Sequence, residues 1–458
     1  MNFNEINQLF KKQQFFFASG HTKSIAFRRA SLRSLQHLIR QHEADIIEAL
    51  RSDLGKPPFE AYATEIGLVL EELRLHLRSL QKWSKTTRVS NPLTAFPAQS
   101  FIMPEPYGNT LIISPWNYPF QLVMAPLIAA ISAGNCAIIK PSEISTHTSQ
   151  LIYQLINNSF PEDYLRVVTG DSSLSASLTQ LPFDLIFFTG STHTGKKIMK
   201  AAAENLSKVI LELGGKSPVI VDAHTNISLA AKRIMWGKLI NAGQSCIAPD
   251  HVWVHHSQYQ ALTEELIKAT DILYPGGTET HSDYARIINQ SNIVRLSEMI
   301  RSETVIYGGQ YHLTDRYFAP TIVTNPAMDS VLMQEEIFGP VLPLVPYSEM
   351  DEPISWIRQQ AKPLAAYLFS NNSKHLRYLL NEVDAGGITI NDTLMHFTNT
   401  KLPFGGIGNS GQGTYHGKAG FETFSHPKAV MKRARWLDIP LRYPPYGNKL
   451  KLIKKLLR

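Results

Sequence analysis

The chain has 458 residues, which exceeds the length at which one hydrophobic core keeps growing, so we expect two or three domains. Apolar residues make up 43% and charged residues 18%, which excludes an intrinsically disordered protein, and the modest net charge of +7 predicts no nucleic-acid partner. Two cysteines exclude a disulfide framework and favour the reducing cytoplasm.

The first 90 residues are predicted to be helical, because leucine and isoleucine recur at helical spacing over 32–39 and 66–80. Pro92 and Pro97 then break this pattern. From residue 100 onward, short apolar runs alternate with helical segments, which is typical of parallel sheets covered by helices. The predicted strands are 110–113, 137–139, 165–168, 185–188 and 218–221, followed in a second alternating region by 251–254, 342–345 and 387–390.

No secretory or membrane-spanning segment is predicted. The aromatic run at 15–18 is too short for the apolar core of a signal peptide. The longest apolar region, 123–139, is interrupted by Pro126 and Gly134, so it predicts a helix followed by a buried strand.

The two cysteines lie in different surroundings. Cys136 belongs to an apolar run that predicts a buried strand, where a thiol acts as a small hydrophobe. Cys246 lies in the polar run GQSCIAPD at 243–250, which predicts a turn. A thiol that attacks a carbonyl carbon and a carboxylate that activates water are complementary in acyl chemistry, and Glu212 is a candidate for the second role. A buried hydrophobe is still the commoner state of a lone cysteine, so both interpretations of Cys246 stay open here.

A glycine motif at 184–196, DLIFFTGSTHTGK, predicts a strand, a tight turn and a helix start. Backbone N–H groups at such a helix start attract phosphate. Gly190, Gly195 and Lys196 match the P-loop pattern, but Lys197 replaces the hydroxyl that binds magnesium. The motif alone leaves nucleotide binding and an ordinary strand-to-helix turn equally open. No metal site is predicted, because the cysteines and histidines have no zinc-binding spacing.

Seven segments in order resemble the aldehyde dehydrogenase superfamily across almost the whole chain. They are SPWNYP at 114–119, KPSE at 140–143, FTGST at 188–192, LELGG at 211–215, GQSC at 243–246, EEIFGP at 335–340 and PFGG at 403–406. Four further runs resemble class 3 of that family, the fatty and aromatic aldehyde dehydrogenases. They are CIAPD at 246–250, ND at 391–392 with MH at 395–396, YHGK at 415–418 and RYPPY at 442–446.

The resemblance implies an α/β fold of three parts and a homodimer. A Rossmann-type NAD-binding domain with an unusual five-stranded sheet is expected at 1–87 plus 107–213. An α/β catalytic domain is expected at 214–410. A small oligomerisation sheet, which bridges subunits, is expected to use 88–106 and about 425–458, the latter including the C-terminal tail.

The resemblance also implies an enzyme that oxidises a medium- or long-chain aliphatic or an aromatic aldehyde to the carboxylic acid. Cys246 matches the nucleophile that forms a thiohemiacetal and then a thioester. Asn117 matches the amide that binds the oxyanion together with the Cys246 backbone N–H. Glu212 matches the base that activates water to hydrolyse the thioester. Tyr118 is expected to border the substrate pocket.

Eight residues match cofactor-binding positions of the family. The expected cofactor is NAD, because a carboxylate at the adenosine ribose suits free hydroxyls, although class 3 enzymes often accept NADP as well. Each position also has an ordinary structural interpretation, such as a surface ion pair or a packed ring. The expected contacts are Lys140 and Glu143 with the adenosine ribose, Gly190, Ser191 and Gly195 with the pyrophosphate, Trp116 beside that turn, Glu336 with the nicotinamide ribose and Phe338 beside the nicotinamide ring.

Two other functions stay open at this point. A CoA-acylating dehydrogenase would use the same thiol, but acylating relatives typically lack a base at the position of Glu212. A P-loop-like nucleotide-binding protein is the more distant alternative. The basic tail KLKLIKKLLR at 449–458 is expected to pack on the partner subunit, and weak peripheral contact with anionic lipid is its other interpretation.

Overall fold

The computed structural model describes residues 3–457, in which three main sheets and a two-stranded ribbon are surrounded by helices. The helical prediction for the first 90 residues is confirmed, since amphipathic helices there bury residues such as Leu35 and Leu73. The helices are α1 (Phe3–Ala18), α2 (Ile25–Gln41), α3 (Glu43–Leu54), α4 (Pro58–Ala61), α5 (Gly67–Trp83), α6 (Gln121–Ala133), α7 (Thr146–Ser159), α8 (Ser172–Thr179), α9 (Thr192–Ala203), α10 (Ile227–Leu239), α11 (Tyr259–Leu273), α12 (Gln290–Ile300), α13 (Val331–Gln334), α14 (Asp351–Gln359), α15 (Ser373–Glu382), α16 (Gly417–Thr423) and α17 (Lys449–Leu456).

All eight predicted strands are confirmed to within a few residues. The strands are β1 (Thr87–Val89), β2 (Ala98–Pro106), β3 (Asn109–Ile113), β4 (Cys136–Lys140), β5 (Leu165–Val167), β6 (Leu185–Thr189), β7 (Lys208–Glu212), β8 (Pro218–Val221), β9 (His251–His255), β10 (Thr304–Tyr307), β11 (Tyr311–His312), β12 (Tyr317–Phe318), β13 (Thr321–Thr324), β14 (Val341–Tyr347), β15 (Ala365–Phe369), β16 (Gly387–Ile390), β17 (Gly411–Gln412) and β18 (Ser425–Arg433).

The six-stranded sheet has the order β17-β7-β6-β3-β4-β5. Five of its strands run parallel, and β17 pairs with β7 in the antiparallel sense at the edge. The parallel strands are almost wholly buried, as expected for strands covered by helices on both faces. The chain reverses direction across the sheet between β3 and β6, and such a reversal creates the crevice in which doubly wound sheets bind ligands.

The seven-stranded sheet has the order β10-β13-β14-β9-β8-β15-β16, and only β10 is antiparallel to its neighbour. The two large sheets meet where β7 ends at Glu212 and β8 begins at Pro218. The segment between α10 and β9 carries Cys246. The folding of these connections therefore places the candidate thiol and carboxylate beside the junction of the two sheets.

The third main sheet, a three-stranded antiparallel ribbon distinct from the pair β11 and β12, consists of β1, β2 and β18 and has many exposed side chains. Strand β18 pairs with β2 along its whole length, from Ser425 opposite Pro106 to Arg433 opposite Ala98. The chain then leads to α17, whose four lysines alternate with apolar residues. Within residues 3–457, no helix combines the length and apolarity needed to cross a membrane.

Candidate active site

A cavity of about 430 Å³ lies where the two large sheets meet the N-terminal helices. It is lined by α4 and α5, the loop after β3, the ends of β6 and β7, and the segment between α10 and β9. Cys246, Glu212 and Tyr118 all open onto it. The wall is mainly apolar, through Leu68, Leu122, Trp236, Ile240, Ile247, Leu273, Leu394, Met395, Phe397 and Phe404.

Cys246 follows a tight turn with an unusual backbone. After α10, the residues Asn241, Ala242 and Gly243 have φ values of +53°, +51° and +75°, three left-handed residues in succession. A Cβ atom on Gly243 would lie 2.3 Å from the carbonyl oxygen of Gly339, so only glycine fits there. The turn brings Cys246 to the cavity wall as a free, partly exposed thiol. We refer to Asn241, Ala242 and Gly243 as the nucleophile turn.

The pKa of the Cys246 thiol is raised, first by removal from water and then by the nearby carboxylates of Glu336 and Glu212. Cys136 is fully buried in β4, as its apolar run predicted, and burial raises its pKa too. Of the two thiols, only Cys246 lines the cavity, so it is the one that a ligand there can reach.

Asn117 is buried directly against the nucleophile turn. Its amide Nδ2 donates to the carbonyl of Gln244 at 3.1 Å, and the Asn241 side chain donates to the Asn117 carbonyl at 2.8 Å. Hydrogen bonds across more than a hundred residues of chain therefore join the predicted oxyanion-binding amide to the segment that precedes Cys246.

Glu212 is the last residue of β7, and it is buried with 3% exposure instead of lying at an exposed strand end. Neither carboxylate oxygen has a hydrogen-bond partner within the described chain. Burial alone raises the pKa of Glu212 well above its usual value. A carboxylate that lacks partners and opens onto a cavity is a strong base towards a molecule that enters it.

Tyr118 is held by a buried ion pair. The Nζ atom of Lys56 lies 4.3 Å from the centre of the Tyr118 ring and 2.5 Å from a carboxylate oxygen of Glu65. The other oxygen of Glu65 accepts the backbone N–H groups of Phe120 at 2.8 Å and Gln121 at 3.1 Å. These contacts fix the loop after β3, which carries both Tyr118 and Asn117.

The glycine motif forms the turn from β6 into α9. The N–H of Gly190 donates to the carbonyl of Glu212 at 3.0 Å, and the Ser191 hydroxyl caps α9 by accepting from its first turn. A Cβ atom on Gly195 would lie 2.7 Å from a methyl group of Leu213, so glycine lets the helix pack closely on the end of β7. The predicted strand, turn and helix start are confirmed.

Lys140 is the last residue of β4 and Glu143 follows it, at the same edge of the sheet as the glycine turn. The Lys140 ammonium is buried and donates to Glu143, whose side chain is 42% exposed. The two residues thus form an ion pair with one partner open to solvent, beside the crevice created by the reversal between β3 and β6.

Glu336 packs against Gly214, between β7 and β8. Its Oε1 atom is shielded from solvent and has no partner in the described chain, and a Cβ atom on Gly214 would lie 2.0 Å from its Oε2 atom. Burial, and then the charge of Asp250, raises the pKa of Glu336 to about 8. The rings of Trp116 and Phe338 meet edge to face with centroids 5.4 Å apart.

The loop that carries Glu336, between α13 and β14, is held by charged side chains. Arg295 donates to the carbonyls of Glu336 at 3.3 Å and Ile337 at 2.6 Å. Asp250 accepts the Ile337 N–H at 2.9 Å and pairs with Lys216, which also donates to two carbonyls at the start of the loop. Charged hydrogen bonds of this kind are stronger than neutral ones, so the loop has a well-defined conformation.

The structure brings the predicted residues together in three groups. Cys246, Glu212 and Tyr118 line the cavity, and Asn117 is hydrogen-bonded to the carbonyl of Gln244, two residues before Cys246. Glu336 lies beside Gly214, and the rings of Trp116 and Phe338 are in contact. The third group, at the carboxyl ends of β4 and β6, consists of Lys140, Glu143, Gly190, Ser191 and Gly195. Within residues 3–457, no cluster of histidine, cysteine or acidic side chains could hold a metal ion.

Sequence reasoning missed several polar residues of the cavity, among them Glu60, Thr189 and Tyr415. Thr189 has a buried hydroxyl oxygen without a hydrogen-bond partner in the described part of the chain. The position of Thr189 directly before the glycine turn could have predicted that it lies in the site. Glu60 had no signal, because it lies far from every motif in the chain and reaches the site only through folding.

The profile of the aldehyde dehydrogenase family matches residues 4–430. The 4,4'-diaponeurosporen-aldehyde dehydrogenase of Staphylococcus aureus is 46% identical over 457 residues, which cover 99% of this chain and 100% of that protein. The dimeric NADP-preferring aldehyde dehydrogenase of Rattus norvegicus is 40% identical over 449 residues, covering 98% and 99% respectively. The solved substrate-bound state of Staphylococcus aureus AldH superimposes with a TM-score of 0.97 at 46% identity and covers 99% of both chains. The chain therefore belongs to the aldehyde dehydrogenase family, whose members are oxidoreductases that oxidise aldehydes with NAD or NADP.

Proposed function

We propose that the protein oxidises a medium- or long-chain aliphatic or an aromatic aldehyde to its carboxylic acid through a covalent intermediate on Cys246. The observation that carries the proposal is that Cys246 and an unpartnered, buried Glu212 open onto one mainly apolar cavity. The family assignment replaces the P-loop alternative.

The first step is attack by sulphur. The thiol of Cys246 loses its proton to water, a bond forms between Sγ and the aldehyde carbon, and the carbonyl electron pair moves onto oxygen as an oxyanion. Asn117 and the backbone N–H of Cys246 stabilise that oxyanion, and the loss of one such donor from an oxyanion hole raises the barrier by about 3 kcal/mol. The hydrogen bonds between Asn117 and the nucleophile turn support this role, because they hold donor and nucleophile in register.

The residues of the crevice fit a dinucleotide. The Glu336 oxygen that lacks a partner in the described chain is the acceptor that a ribose hydroxyl needs, and the absence of a side chain at Gly214 leaves room for the Glu336 carboxylate. We assign Glu336 and Phe338 to the nicotinamide end, with Trp116 between them and the turn of Gly190, Ser191 and Gly195 at the pyrophosphate. Lys140 and Glu143 hold the adenosine ribose. When bound, NAD or NADP supplies the acceptor for the hydride that leaves the substrate carbon.

Glu212 completes the reaction. Loss of hydride leaves a thioester on Cys246, and Glu212 takes a proton from water as the oxygen of that water bonds to the thioester carbon. The bond between carbon and Sγ then breaks, which releases the carboxylic acid, and the proton held by Glu212 passes to sulphur and restores the thiol. Burial strengthens Glu212 as a base because it raises its pKa. A base at this position also supports hydrolysis over transfer to CoA.

The substrate class rests on the apolar lining of the cavity. An apolar cavity favours aldehydes with a hydrocarbon chain, since each buried CH₂ group contributes about 0.8 kcal/mol to the free energy of binding. The name of the Staphylococcus aureus relative, a 4,4'-diaponeurosporen-aldehyde dehydrogenase, supports a long apolar substrate. With aldehydes of increasing length, kcat/KM is expected to rise until the chain fills the cavity.

The mechanism is tested by two substitutions. Cys246→Ala is expected to abolish NADH formation from a medium-chain aldehyde while NADH still binds, as measured by fluorescence titration. Glu212→Gln is expected to release one burst of NADH per site and then stop. Steady turnover by Cys246→Ala would refute the thiol mechanism. Steady turnover by Glu212→Gln would assign the base to another residue, and formation of acyl-CoA by the wild type would favour the CoA-acylating alternative.

We further infer a cytoplasmic homodimer that uses the ribbon of β1, β2 and β18 and the C-terminal tail. We assign one domain to each of the three main sheets. The NAD-binding domain comprises 1–87 plus 107–213, the catalytic domain comprises 214–410, and the oligomerisation segments are 88–106 plus about 425–458. A dimeric rat relative supports the dimer. The side chains of Leu450 and Leu452 in α17 are exposed, and we expect the tail to pack on the partner with its lysines in water. Equal pelleting of full-length and tail-deleted protein with anionic liposomes is the expected result, and stronger pelleting of the full chain would instead assign the tail to the lipid surface.

A further inference from the structure

The nucleophile turn has a backbone that its residues do not prefer. Asn241 and Ala242 carry side chains in the left-handed region, where only glycine is unstrained. Conformations of this kind persist only where the surrounding structure holds them. Contacts from outside the turn must therefore determine where Cys246 and its neighbours lie.

One such contact comes from a distant helix. The Oε1 atom of Glu60, in α4, accepts the backbone N–H of Asn241 at 2.7 Å, although the residues are 181 positions apart. Both residues are buried, and Glu60 also lines the cavity. A buried N–H without an acceptor is strongly disfavoured, so this hydrogen bond favours the observed backbone of the turn over its alternatives.

Asn241 passes this constraint to the predicted oxyanion site. Its side-chain Nδ2 atom donates to the carbonyls of Asn117 at 2.8 Å and Gln244 at 3.1 Å. Asn117 in turn donates to the same Gln244 carbonyl. A shift of Asn241 would therefore move the amide that is assigned to bind the oxyanion.

A second anchor acts on the other side of the turn. The Gln244 side chain donates to the carbonyls of Asn241 at 3.0 Å and Arg286 at 2.9 Å, and it accepts the N–H of Ile288 at 2.9 Å. Gln244 thus binds the Asn241 carbonyl, and Glu60 binds the Asn241 N–H. The two groups therefore hold the peptide units on either side of the Asn241 Cα atom.

We propose that Glu60 is a positioning residue for the aldehyde oxidation: its hydrogen bond to Asn241 holds the nucleophile turn so that Asn117 and the Cys246 N–H point at the forming oxyanion. The proposal rests on the proposed function, because the step it serves is attack by Cys246. Glu60 acts through Asn241 and not by contact with the reacting atoms.

The role depends on an acceptor oxygen and not on charge. Burial, partly offset by the charge of Lys56, raises the pKa of Glu60 to about 7, so both protonation states occur near neutral pH. Both states present an oxygen that can accept the Asn241 N–H. Glutamine has the same length and an acceptor oxygen, whereas methionine has the length without the oxygen.

The test compares three variants of Glu60 by the rate of the NADH burst. Glu60→Met is expected to slow the burst about 10- to 100-fold, the range for a buried N–H that loses its acceptor. Glu60→Gln is expected to keep most of the wild-type rate. Glu60→Asp, which keeps the charge but shortens the side chain, is expected to be slowed like methionine, and it provides a second variant if Glu60→Met does not fold.

Two controls separate positioning from a general structural effect. NADH affinity is expected to stay within about twofold of wild type. Alkylation of Cys246 by iodoacetamide is expected to be unchanged, because that reaction forms no oxyanion. Three results would each overturn the proposal. They are a burst at the wild-type rate in Glu60→Met, a burst in Glu60→Gln that is slowed as much as in Glu60→Met, and alkylation of Cys246 that slows together with the burst. Failure of the thiol mechanism itself would appear separately, as turnover by Cys246→Ala.

Discussion

Glu212 is expected to destabilise the fold, although the proposed reaction requires it. Its carboxylate is buried at the end of β7, and neither oxygen has a hydrogen-bond partner among residues 3–457. In the unfolded chain the same group is hydrated and ionises at its usual pKa, whereas burial raises the pKa in the folded protein. Replacing it with the neutral amide in Glu212→Gln should therefore stabilise the fold while it stops hydrolysis of the thioester.

The sign of the pH dependence follows from the direction of this pKa shift. Below the unfolded pKa, near 4.5, the carboxyl is protonated in both states and Glu212 does not disfavour folding. As the pH rises through the raised pKa of the folded state, the Glu212 carboxyl must either stay protonated or become a buried charge. The free energy of unfolding therefore falls. A buried charged group without partners destabilises by at least about 2 kcal/mol, so Glu212→Gln should gain about this much at pH 8.

Thermal unfolding of wild type and Glu212→Gln from pH 5 to pH 8 measures this effect. A change of 1 kcal/mol shifts Tm by roughly 2–4 °C in domains of 150–250 residues, so a gain of several degrees at pH 8 is expected, with little at pH 5. The exposed residue Glu264 provides the matched control, and Glu264→Gln should leave Tm unchanged at both pH values. A Tm for Glu212→Gln that is equal to or below wild type at pH 8 would refute the reasoning.

Three further outcomes are expected. Gly243→Ala should lower the free energy of unfolding by about 1–3 kcal/mol, because its Cβ meets the Gly339 carbonyl and its φ is +75°; chemical denaturation measures this, and unchanged stability would contradict the close approach. Arg295→Met should weaken NADH binding about tenfold, since it frees two carbonyls of the loop that carries Glu336; fluorescence titration checks this, and unchanged affinity would show that the loop needs no such anchor. Glu143→Ser should raise kcat/KM with NADP relative to NAD at least about fivefold, because it removes a negative charge near a ribose phosphate; an unaltered ratio would place the adenosine ribose elsewhere.

Much of the architecture could be predicted from local patterns. Buried parallel strands have continuous apolar runs and amphipathic helices have a 3.6-residue repeat, so short stretches of chain are enough to locate both. The eight predicted strands and the helical first 90 residues were confirmed for this reason. The family and its cofactor class were also predictable, because ordered motifs around Cys246, Glu212 and Asn117 identify them.

Burial and long-range contacts were not predictable in the same way. The sequence identifies Glu212 as a candidate base but does not show its burial, and only the packed structure shows that it is buried and has no hydrogen-bond partner within residues 3–457. Asp250 and Arg295 likewise appear as ordinary charged residues until the loop that carries Glu336 folds against them. Such contacts join segments that no periodic pattern connects.

The sequence by itself determined the elements, the family and the candidate chemistry of this protein, since these depend on residue types and on spacings within a few turns of chain. Only the tertiary structure decided which groups share one cavity, which of them lose their water, and how the nucleophile turn is held. The physical reason is that pKa values and strained backbones depend on neighbours in space, and Glu60 and Asn241 become neighbours only when the chain has folded.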